Sequence, residues 1–327
     1  MRNAGLTSAA IKAKALELGF DLCGIAPASA LPELSFFREW LERGYGGTME
    51  YLRRSAARRD DVRRVLPSAR TVIVTGTNYN TNRPYSTECL DPGRAHVARY
   101  AWGDDYHEVL LVRLEALLAW MRSVEPRGFE ARAYVDTGPV QERVYAQHAG
   151  VGWIGKNTCV ISPTLGSWLF LGEIICSLAL DTDQPALDQC GTCTLCLDAC
   201  PTHAIVAPGV LDSTKCISYL TIELRGDIPP AQREAIGAHV YGCDLCQEVC
   251  PWNAMVPASL DPAWQPRPVW DGADLGELAA MNDEQIAAAL EGSAMRRARP
   301  SGLRRNITVA LANAPRHGLR SEERSQL

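Results

Sequence analysis

The chain has 327 residues, 46% of them hydrophobic, and a formal net charge of −5 at pH 7. This length allows two or three domains with a substantial core, while no apolar run approaches the length of a membrane span. The acidic total argues against general nucleic-acid binding, and the N-terminal residues show neither a signal core nor a twin-arginine pair, so we expect a cytoplasmic protein without a membrane anchor.

Helices and strands are mixed in the first 180 residues. Thr7 or Ser8 as N-cap and Gly19 at the far end predict the first helix. Residues 136–139 are predicted to cap a later helix, and a turn at 163–166 is predicted to join two paired strands. The predicted elements run, in chain order, over 8–18, 20–26, 31–44, 71–79, 103–124, 131–137, 140–150, 157–162 and 167–180. This mixture predicts an α+β fold class for a first domain, 1–183.

The rest of the chain divides into a cysteine-rich segment, 184–256, and a C-terminal region, 257–327. The C-terminal region opens with a linker rich in proline and tryptophan, 257–270. Helical patterns follow at 283–290 and 302–314. We therefore expect a short helical region at the end of the chain.

Eight of the twelve cysteines form two runs with the spacing of iron–sulfur proteins. Three cysteines two residues apart hold one cubane, while a fourth that is followed by proline ligates the neighbouring cluster. The predicted ligands of one [4Fe–4S] cluster are Cys190, Cys193, Cys196 and Cys250, and those of the other are Cys200, Cys216, Cys243 and Cys246. The segment 184–256 is thus predicted to be a bacterial-ferredoxin-like domain with two clusters.

Two alternatives to iron–sulfur clusters are weaker. Structural zinc sites explain four thiolates each, but they explain neither the third cysteine of the first run nor the two Cys-Pro endings. A disulfide framework suits short secreted chains rather than one of 327 residues.

Two arginine-rich stretches are locally basic, although the net charge of the chain is negative. Seven arginines lie between Arg53 and Arg70, and five, without an acid, lie between Arg296 and Arg305. Arginine forks match phosphate oxygens, so each stretch is able to hold a nucleic-acid backbone. The alternative is a solvated helix face, and composition leaves the two readings open.

The segment 134–174 contains an apolar loop punctuated by Gly150, Gly152 and Gly155, which allows backbone to approach a bulky ligand closely. The spacing is neither a dinucleotide-binding fingerprint nor a phosphate-binding loop. Its sequence YVDTGPVQERVYAQHAGVGWIGKNT, together with RYAWGDDYHEVL, CGTCTLCLDACPTHAI, CISYLTIELRGDIP, YGCDLCQEVCPWN and GSAMRRA, resembles tRNA epoxyqueuosine reductases over roughly residues 10–315.

The resemblance implies the last step of queuosine biosynthesis, in which the epoxide of epoxyqueuosine at the wobble position of tRNA is reduced to an alkene. It implies two [4Fe–4S] clusters and cobalamin as cofactors, and a first domain like that of corrinoid reductive dehalogenases. Asp136 matches the proton donor, and apolar walls are expected to raise its pKa. Positions that match cobalamin contacts are Arg59, Arg99, Gly155, Val160, Leu171 and Ser218.

The resemblance also places Arg225 near the tRNA, and the C-terminal arginines add Arg297 and Arg304 as predicted tRNA contacts. A turn at 300–302 is expected to present that cluster from two helix ends. The partners we expect are tRNA carrying epoxyqueuosine and an external low-potential electron donor, such as a flavodoxin, a ferredoxin or a flavoprotein reductase, acting on a monomer. The alternatives are a corrinoid enzyme like the reductive dehalogenases and a ferredoxin-type electron carrier.

Overall fold

The computed structural model describes residues 6–314. The strands are β1 (Leu22–Pro27), β2 (Thr71–Asn78), β3 (His96–Val97), β4 (Ala131–Tyr134), β5 (Trp153–Ile154), β6 (Val160–Ile161), β7 (Leu169–Cys176), β8 (Ile205–Ala207), β9 (Val210–Leu211) and β10 (His239–Tyr241). The helices are α1 (Ser8–Glu17), α2 (Phe36–Glu42), α3 (Glu50–Arg59), α4 (Tyr106–Val124), α5 (Glu142–His148), α6 (Leu195–Asp198), α7 (Pro230–Arg233), α8 (Leu245–Glu248), α9 (Leu275–Ala280), α10 (Asp283–Leu290) and α11 (Arg299–Asn313).

A four-stranded antiparallel sheet in the order β1-β2-β7-β4 forms the centre of the N-terminal part. Every residue of β2 is buried, because helices cover both faces of the sheet. On one face Val144 of α5 packs over Val72 and Val74. On the other face α1 and α4 pack over Ile73 and Ile174. The predicted α+β class is confirmed.

The structure confirms the predicted first helix but not the predicted pairing of strands across the turn at 163–166. The first helix is confirmed: the Thr7 hydroxyl accepts the Ala10 N–H at 3.2 Å, and Gly19 has a φ of +87° just beyond the helix. The predicted pairing across 163–166 is wrong. The strand before that turn, β6, pairs with β5, whereas β7 lies between β2 and β4 in the large sheet. Strand pairing depends on contacts between distant segments, and the short turn does not reveal them.

Two predicted helix boundaries also differ in the structure. Residues 136–139 do not cap a helix, since α5 begins only at Glu142 with Gln141 as its N-cap. Pro300 does not mark a turn either, because it lies in the first turn of α11, where proline needs no N–H partner. The arginines from 299 onward therefore belong to one helix rather than to two helix ends.

The C-terminal helices pack against elements from earlier in the chain. The pair β3 and β10 is parallel, and Val97 and Val240 share a core with Leu278 and Ile307. Trp264 of the predicted linker is buried in the core beside α4. Residues 315–327 of the predicted C-terminal region lie outside the described residues. Within 6–314, no helix has the length and apolar character that crossing a bilayer requires.

Candidate active site

A cleft of about 1250 Å³ opens beside the loop that joins β4 to α5. This volume exceeds the roughly 300–1,000 Å³ of ordinary ligand pockets, so the cleft has room for an unusually large ligand. Aromatic side chains, including Phe37, Trp40 and Tyr106, form part of its wall. Asp136 and Arg59 supply charge to the same wall.

Asp136 sits in a strained turn at the cleft wall. Its φ is +55°, and the Thr137 N–H donates to the Val135 carbonyl at 2.5 Å, so Asp136 is the central residue of a γ-turn. Such a conformation costs a non-glycine residue free energy and is concentrated at functional sites. The turn directs the carboxyl group into the cleft, where 63% of the side chain is exposed.

His107 links Asp136 to a second carboxylate. Asp105 is the N-cap of α4, and its Oδ1 lies 2.7 Å from His107 Nδ1. On the other side of the ring, His107 Nε2 lies 3.5 Å from Asp136 Oδ2. The Tyr106 hydroxyl donates to the same Asp136 oxygen at 3.1 Å. The start of α4 thus supplies both polar partners of the Asp136 carboxylate.

The pKa values of His107 and Asp136 differ from the expectation that the cleft raises the pKa of Asp136. Burial lowers the pKa of His107, but the hydrogen bonds to Asp105 and Asp136 outweigh it and raise the pKa to about 9. Desolvation by the cleft wall favours the neutral form of Asp136, although the side chain stays accessible from the cleft; the hydrogen bond to His107 and its charge nevertheless hold the pKa of Asp136 below its ordinary value. The expected raised pKa of Asp136 is therefore wrong. In the free protein, the proton next to Asp136 Oδ2 resides on His107.

The raised pKa of His107 predicts a pH-dependent contribution to stability. An unfolded histidine has a pKa of ~6.5, so the stabilisation by the imidazolium is complete below that pH and is lost as the pH rises through about 9. We expect His107→Gln to lower the free energy of unfolding more at pH 6 than at pH 10, as measured by urea denaturation. A loss of equal size at both pH values would show that the ring is neutral in the folded protein.

The first predicted cysteine set lies around one cavity. Cys190, Cys193, Cys196 and Cys250 line a space of about 40 Å³, so the last cysteine of the second run joins three from the first. The Trp153 indole N–H donates to the Cys190 sulfur at 3.5 Å. Burial, followed by the neighbouring sulfurs of Cys250 and Cys190, raises the pKa of the metal-free Cys196 thiol to about 11. Four convergent thiols are the donor set that a [4Fe–4S] cluster requires.

The second predicted set also converges. Burial raises the pKa of the Cys243 thiol, and the nearby Cys216 and Cys200 raise it further. The pKa of the Cys246 thiol is raised by its contact with Cys159, by burial, and by Cys243 and Cys216. The residues present therefore fit a second four-thiolate cluster. Cys159 is a neighbour of this set.

A loop between β5 and β6 connects the cleft to both cysteine sets. The Lys156 ammonium donates to the carbonyls of Gly191 and Cys193 at 2.7 and 2.8 Å. The Asn157 amide donates to the Cys246 carbonyl at 3.2 Å. Ile154 and Thr158 of the same loop line the cleft, so this short segment touches all three sites.

The predicted cobalamin contacts in this area lie behind the cleft wall or next to it. Gly155 packs so tightly that a Cβ atom would lie 2.5 Å from Ile161 Cδ1. Val160 is buried and Leu171 is partly buried in the core under α5. Ser218 reaches the Cys216 thiol with its backbone N–H. Cobalamin contacts by these residues stay a prediction.

The two arginines predicted to touch cobalamin differ in their surroundings. Arg59 lines the cleft, and its guanidinium donates to the Val140 carbonyl at 2.6 Å. Arg99 is only 2% exposed and is not among the residues that line the cleft, so its contact with cobalamin stays a prediction. Its guanidinium donates to the carbonyls of Thr81 and Arg83 at 2.8 and 2.9 Å and stacks on Trp102. These donors are used to hold a loop.

The arginines predicted to bind RNA also differ in whether they line the cleft. Arg225 and Arg297 line the cleft, and the Arg297 guanidinium forms two hydrogen bonds with Glu223, at 2.8 and 2.7 Å. Arg304 instead pairs with Asp283 through bonds of 2.9 and 2.7 Å and is not part of the cleft wall. Exposed Arg54 and Arg299, which belong to the two arginine-rich stretches of the sequence, also line the cleft.

The cysteine pattern and the cleft motifs both match described protein families. The family "4Fe-4S double cluster binding domain" matches residues 189–253. The family "Epoxyqueuosine reductase QueG, DUF1730" matches residues 59–137, which include Arg59, His107 and Asp136. Together these matches cover both cysteine runs and the loop that carries Asp136.

Full-length relatives are similar over nearly the whole chain. The epoxyqueuosine reductase of Gloeobacter violaceus is 45% identical, over 93% of this chain and 96% of the relative. The epoxyqueuosine reductase of Xanthomonas campestris is 42% identical, over 94% of this chain and 87% of the relative.

Solved structures agree with these relatives. An epoxyqueuosine reductase bound to an epoxyqueuosine-modified tRNA-Tyr stem loop is 31% identical, with a TM-score of 0.84 over 93% of this chain and 80% of that chain. The Bacillus subtilis epoxyqueuosine reductase, in a structure with its catalytic aspartate loop swung out of the active site, is 30% identical, with a TM-score of 0.82 over the same shares of both chains. This chain therefore belongs to the epoxyqueuosine reductase family.

Proposed function

We propose that this protein reduces epoxyqueuosine at the wobble position of tRNA to queuosine, with two [4Fe–4S] clusters and cobalamin as cofactors. The observation that carries the proposal is the position of Asp136, at the wall of a cleft of about 1250 Å³ that a single loop joins to two four-cysteine sets. Family membership supports the same reaction. Cobalamin, when bound, supplies the strongly reducing centre at which the carbon–oxygen bond opens.

The overall reaction defines what the side chains must do. Reduction of an epoxide to an alkene breaks two carbon–oxygen bonds, forms a carbon–carbon π bond and releases the oxygen as water. It therefore consumes two electrons and two protons. Asp136 is placed to deliver a proton to the oxygen, and the His107 imidazolium, 3.5 Å from its Oδ2, supplies that proton to the carboxylate. Tyr106 holds the carboxylate towards the cleft.

Electrons reach the site through the cysteine sets. The cavity of the first set includes Leu195, whose side chain is 49% exposed, and exposed Leu187 lies just before Cys190. We propose that an external low-potential donor docks here, with the second set closer to the cleft. A cytoplasmic monomer remains our expectation for the working protein.

The arginines of the cleft wall suit an anionic polymer. The cleft of about 1250 Å³ is lined by four of them, Arg54, Arg225, Arg297 and Arg299. Each phosphate contact that is lost lowers the slope of log affinity against log salt by ~0.7–0.9. We expect Arg297→Ala to weaken tRNA binding and to flatten this slope by about that amount, measured by fluorescence anisotropy over a salt series.

Arg304→Ala is the matched comparison for Arg297→Ala. Both arginines make two hydrogen bonds to carboxylate oxygens on the protein surface, but only Arg297 lines the cleft. We expect the salt slope of Arg304→Ala to equal that of the wild type. Equal slopes in all three proteins would contradict RNA binding at the cleft wall.

The function itself is tested with the tRNA nucleosides of a deletion strain. Mass spectrometry should show accumulated epoxyqueuosine, and the wild-type gene should restore queuosine. Purified protein should also retain cobalamin after desalting, which an electron carrier would not. Turnover of a haloarene, without turnover of epoxyqueuosine-tRNA, would replace this proposal with a dehalogenase.

A further inference from the structure

Two glutamates are buried beneath the loop that carries Asp136. Glu173 is 0% exposed in the middle of β7, where its neighbours on β2 and β4 are Val74 and Tyr134. Since side chains alternate along a strand, Glu173 lies on the same face as Leu171 and Ile175, within the apolar core under α5. An acid is rarely found at such a position without a partner.

Glu142, the first residue of α5, is the partner. It lines the cleft, and its carboxyl group lies within hydrogen-bonding reach of that of Glu173. Asp136 lies close enough for its negative charge to raise the pKa of the Glu142 carboxyl group. The pair therefore lies directly under the residue that is placed to protonate the substrate.

The oxygens of the pair lack donors. Among residues 6–314, no donor reaches either carboxyl oxygen of Glu173 or the Oε1 of Glu142, and all three atoms are buried. Two adjacent buried carboxylates would repel each other and leave these oxygens unsatisfied. One shared proton removes a charge and lets one carboxyl donate to the other. The geometry thus requires a proton between the two groups.

The surrounding charges keep that proton in place at neutral pH. Burial raises the pKa of Glu142 to about 8, and the negative charge of Asp136 acts in the same direction. Burial and the charge of Glu142 raise the pKa of Glu173 as well. The ionisable groups that face the pair are Asp136 from the preceding loop, Arg143 from α5, Arg59 from α3 and Tyr106 from α4.

We propose that Glu142 and Glu173 hold one proton between them and pass it to Asp136 during turnover, as the store for the second proton of the reduction. His107 then accounts for the first proton and the glutamate pair for the second. After transfer, both glutamates are ionised until a proton returns from solvent through the cleft. The pair acts through Asp136 and does not touch the substrate. This inference rests on the proposed function.

The shared proton is detectable without any turnover. Infrared spectroscopy of the free protein at pH 7 should show the C=O stretching band of a buried carboxylic acid, because burial raises the pKa of both Glu142 and Glu173. The band should be missing from the double variant Glu142→Gln/Glu173→Gln. It should persist in Glu115→Gln, a matched change at an exposed position on α4. A wild-type spectrum without the band would overturn the proposal.

Turnover of the holoenzyme tests the transfer. We expect the double variant to keep its iron and cobalamin but to lose turnover by ~10²-fold, the lower end of typical general-acid effects. The fall of the wild-type rate above about pH 8 should disappear in the variant. Unchanged turnover with an unchanged pH profile would overturn the proton-store role. A different result would overturn the proposed function instead. In that case the wild-type enzyme shows the expected infrared band but fails to reduce epoxyqueuosine.

Discussion

Asp136→Asn is expected to lower epoxide reduction by ~10²–10⁴-fold while iron content and cobalamin binding stay at wild-type levels. Asparagine keeps the size of the side chain and tolerates the positive φ of +55° as well as aspartate does. It is unable to deliver a carboxylic proton to the epoxide oxygen. The loss is measured as single-turnover conversion of epoxyqueuosine-tRNA by the reduced enzyme.

A spectroscopic readout separates loss of the acid from loss of structure. His107 owes part of its raised pKa to Asp136, so we expect the pKa of His107 to fall below about 9 in Asp136→Asn, as seen by NMR titration. The control is Asp181→Asn, at an exposed position outside the cleft wall. Near-normal turnover in Asp136→Asn would mean that Asp136 only positions other groups.

The double variant Cys190→Ala/Cys250→Ala is expected to retain about four irons per chain of the about eight in the wild type, because each cubane holds four. Both cysteines line the same cavity, so removing both damages one cluster only. If each run held its own cluster, the same two changes would damage both clusters. Iron analysis after anaerobic reconstitution therefore distinguishes the crossed arrangement from the uncrossed one.

Cys190→Ala/Cys200→Ala is the reciprocal test. These two cysteines belong to one run but to different sets, so iron should fall towards zero. Cys216→Ala should remove only the cluster shared with Cys200, Cys243 and Cys246, and unchanged iron would show that Cys216 is no ligand. Cys89→Ala serves as the control, since Cys89 lies in a loop and, among the described residues, its thiol hydrogen-bonds only to the Asp91 carbonyl.

Local patterns in the sequence were sufficient for several elements whose structure depends on neighbouring residues. The first helix was predictable because its cap, Thr7, and its terminating Gly19 act within one turn of the helix ends. The strand 71–79 was predictable because β-branched residues in a row suit a strand that is covered on both faces. Cysteine spacing was informative for a similar reason, since three thiolates two residues apart wrap one cluster.

Arg99 and Arg59 show that pattern and resemblance do not reveal the surroundings of a side chain. Both were assigned to one ligand, yet Arg99 is buried among carbonyls of the loop 81–84 and Arg59 faces the cleft. Which donors an arginine satisfies depends on segments that are far apart in the chain. Likewise, Asp105 and His107 stood in a motif that was quoted, but the 3.5 Å contact with Asp136 arises only when α4 meets the β4–α5 loop.

By itself, the sequence determined the fold class, the two sets of cysteines and the presence of an acid at position 136. These features depend on residue type and on short spacing, which the covalent chain specifies directly. Only the tertiary structure decided the protonation states. His107 lies against Asp136 and lowers the pKa of that carboxyl group, whereas burial of Glu173 beside Glu142 in the sheet raises the pKa of Glu173. A pKa is a property of the surrounding charges and solvent, and folding creates those surroundings.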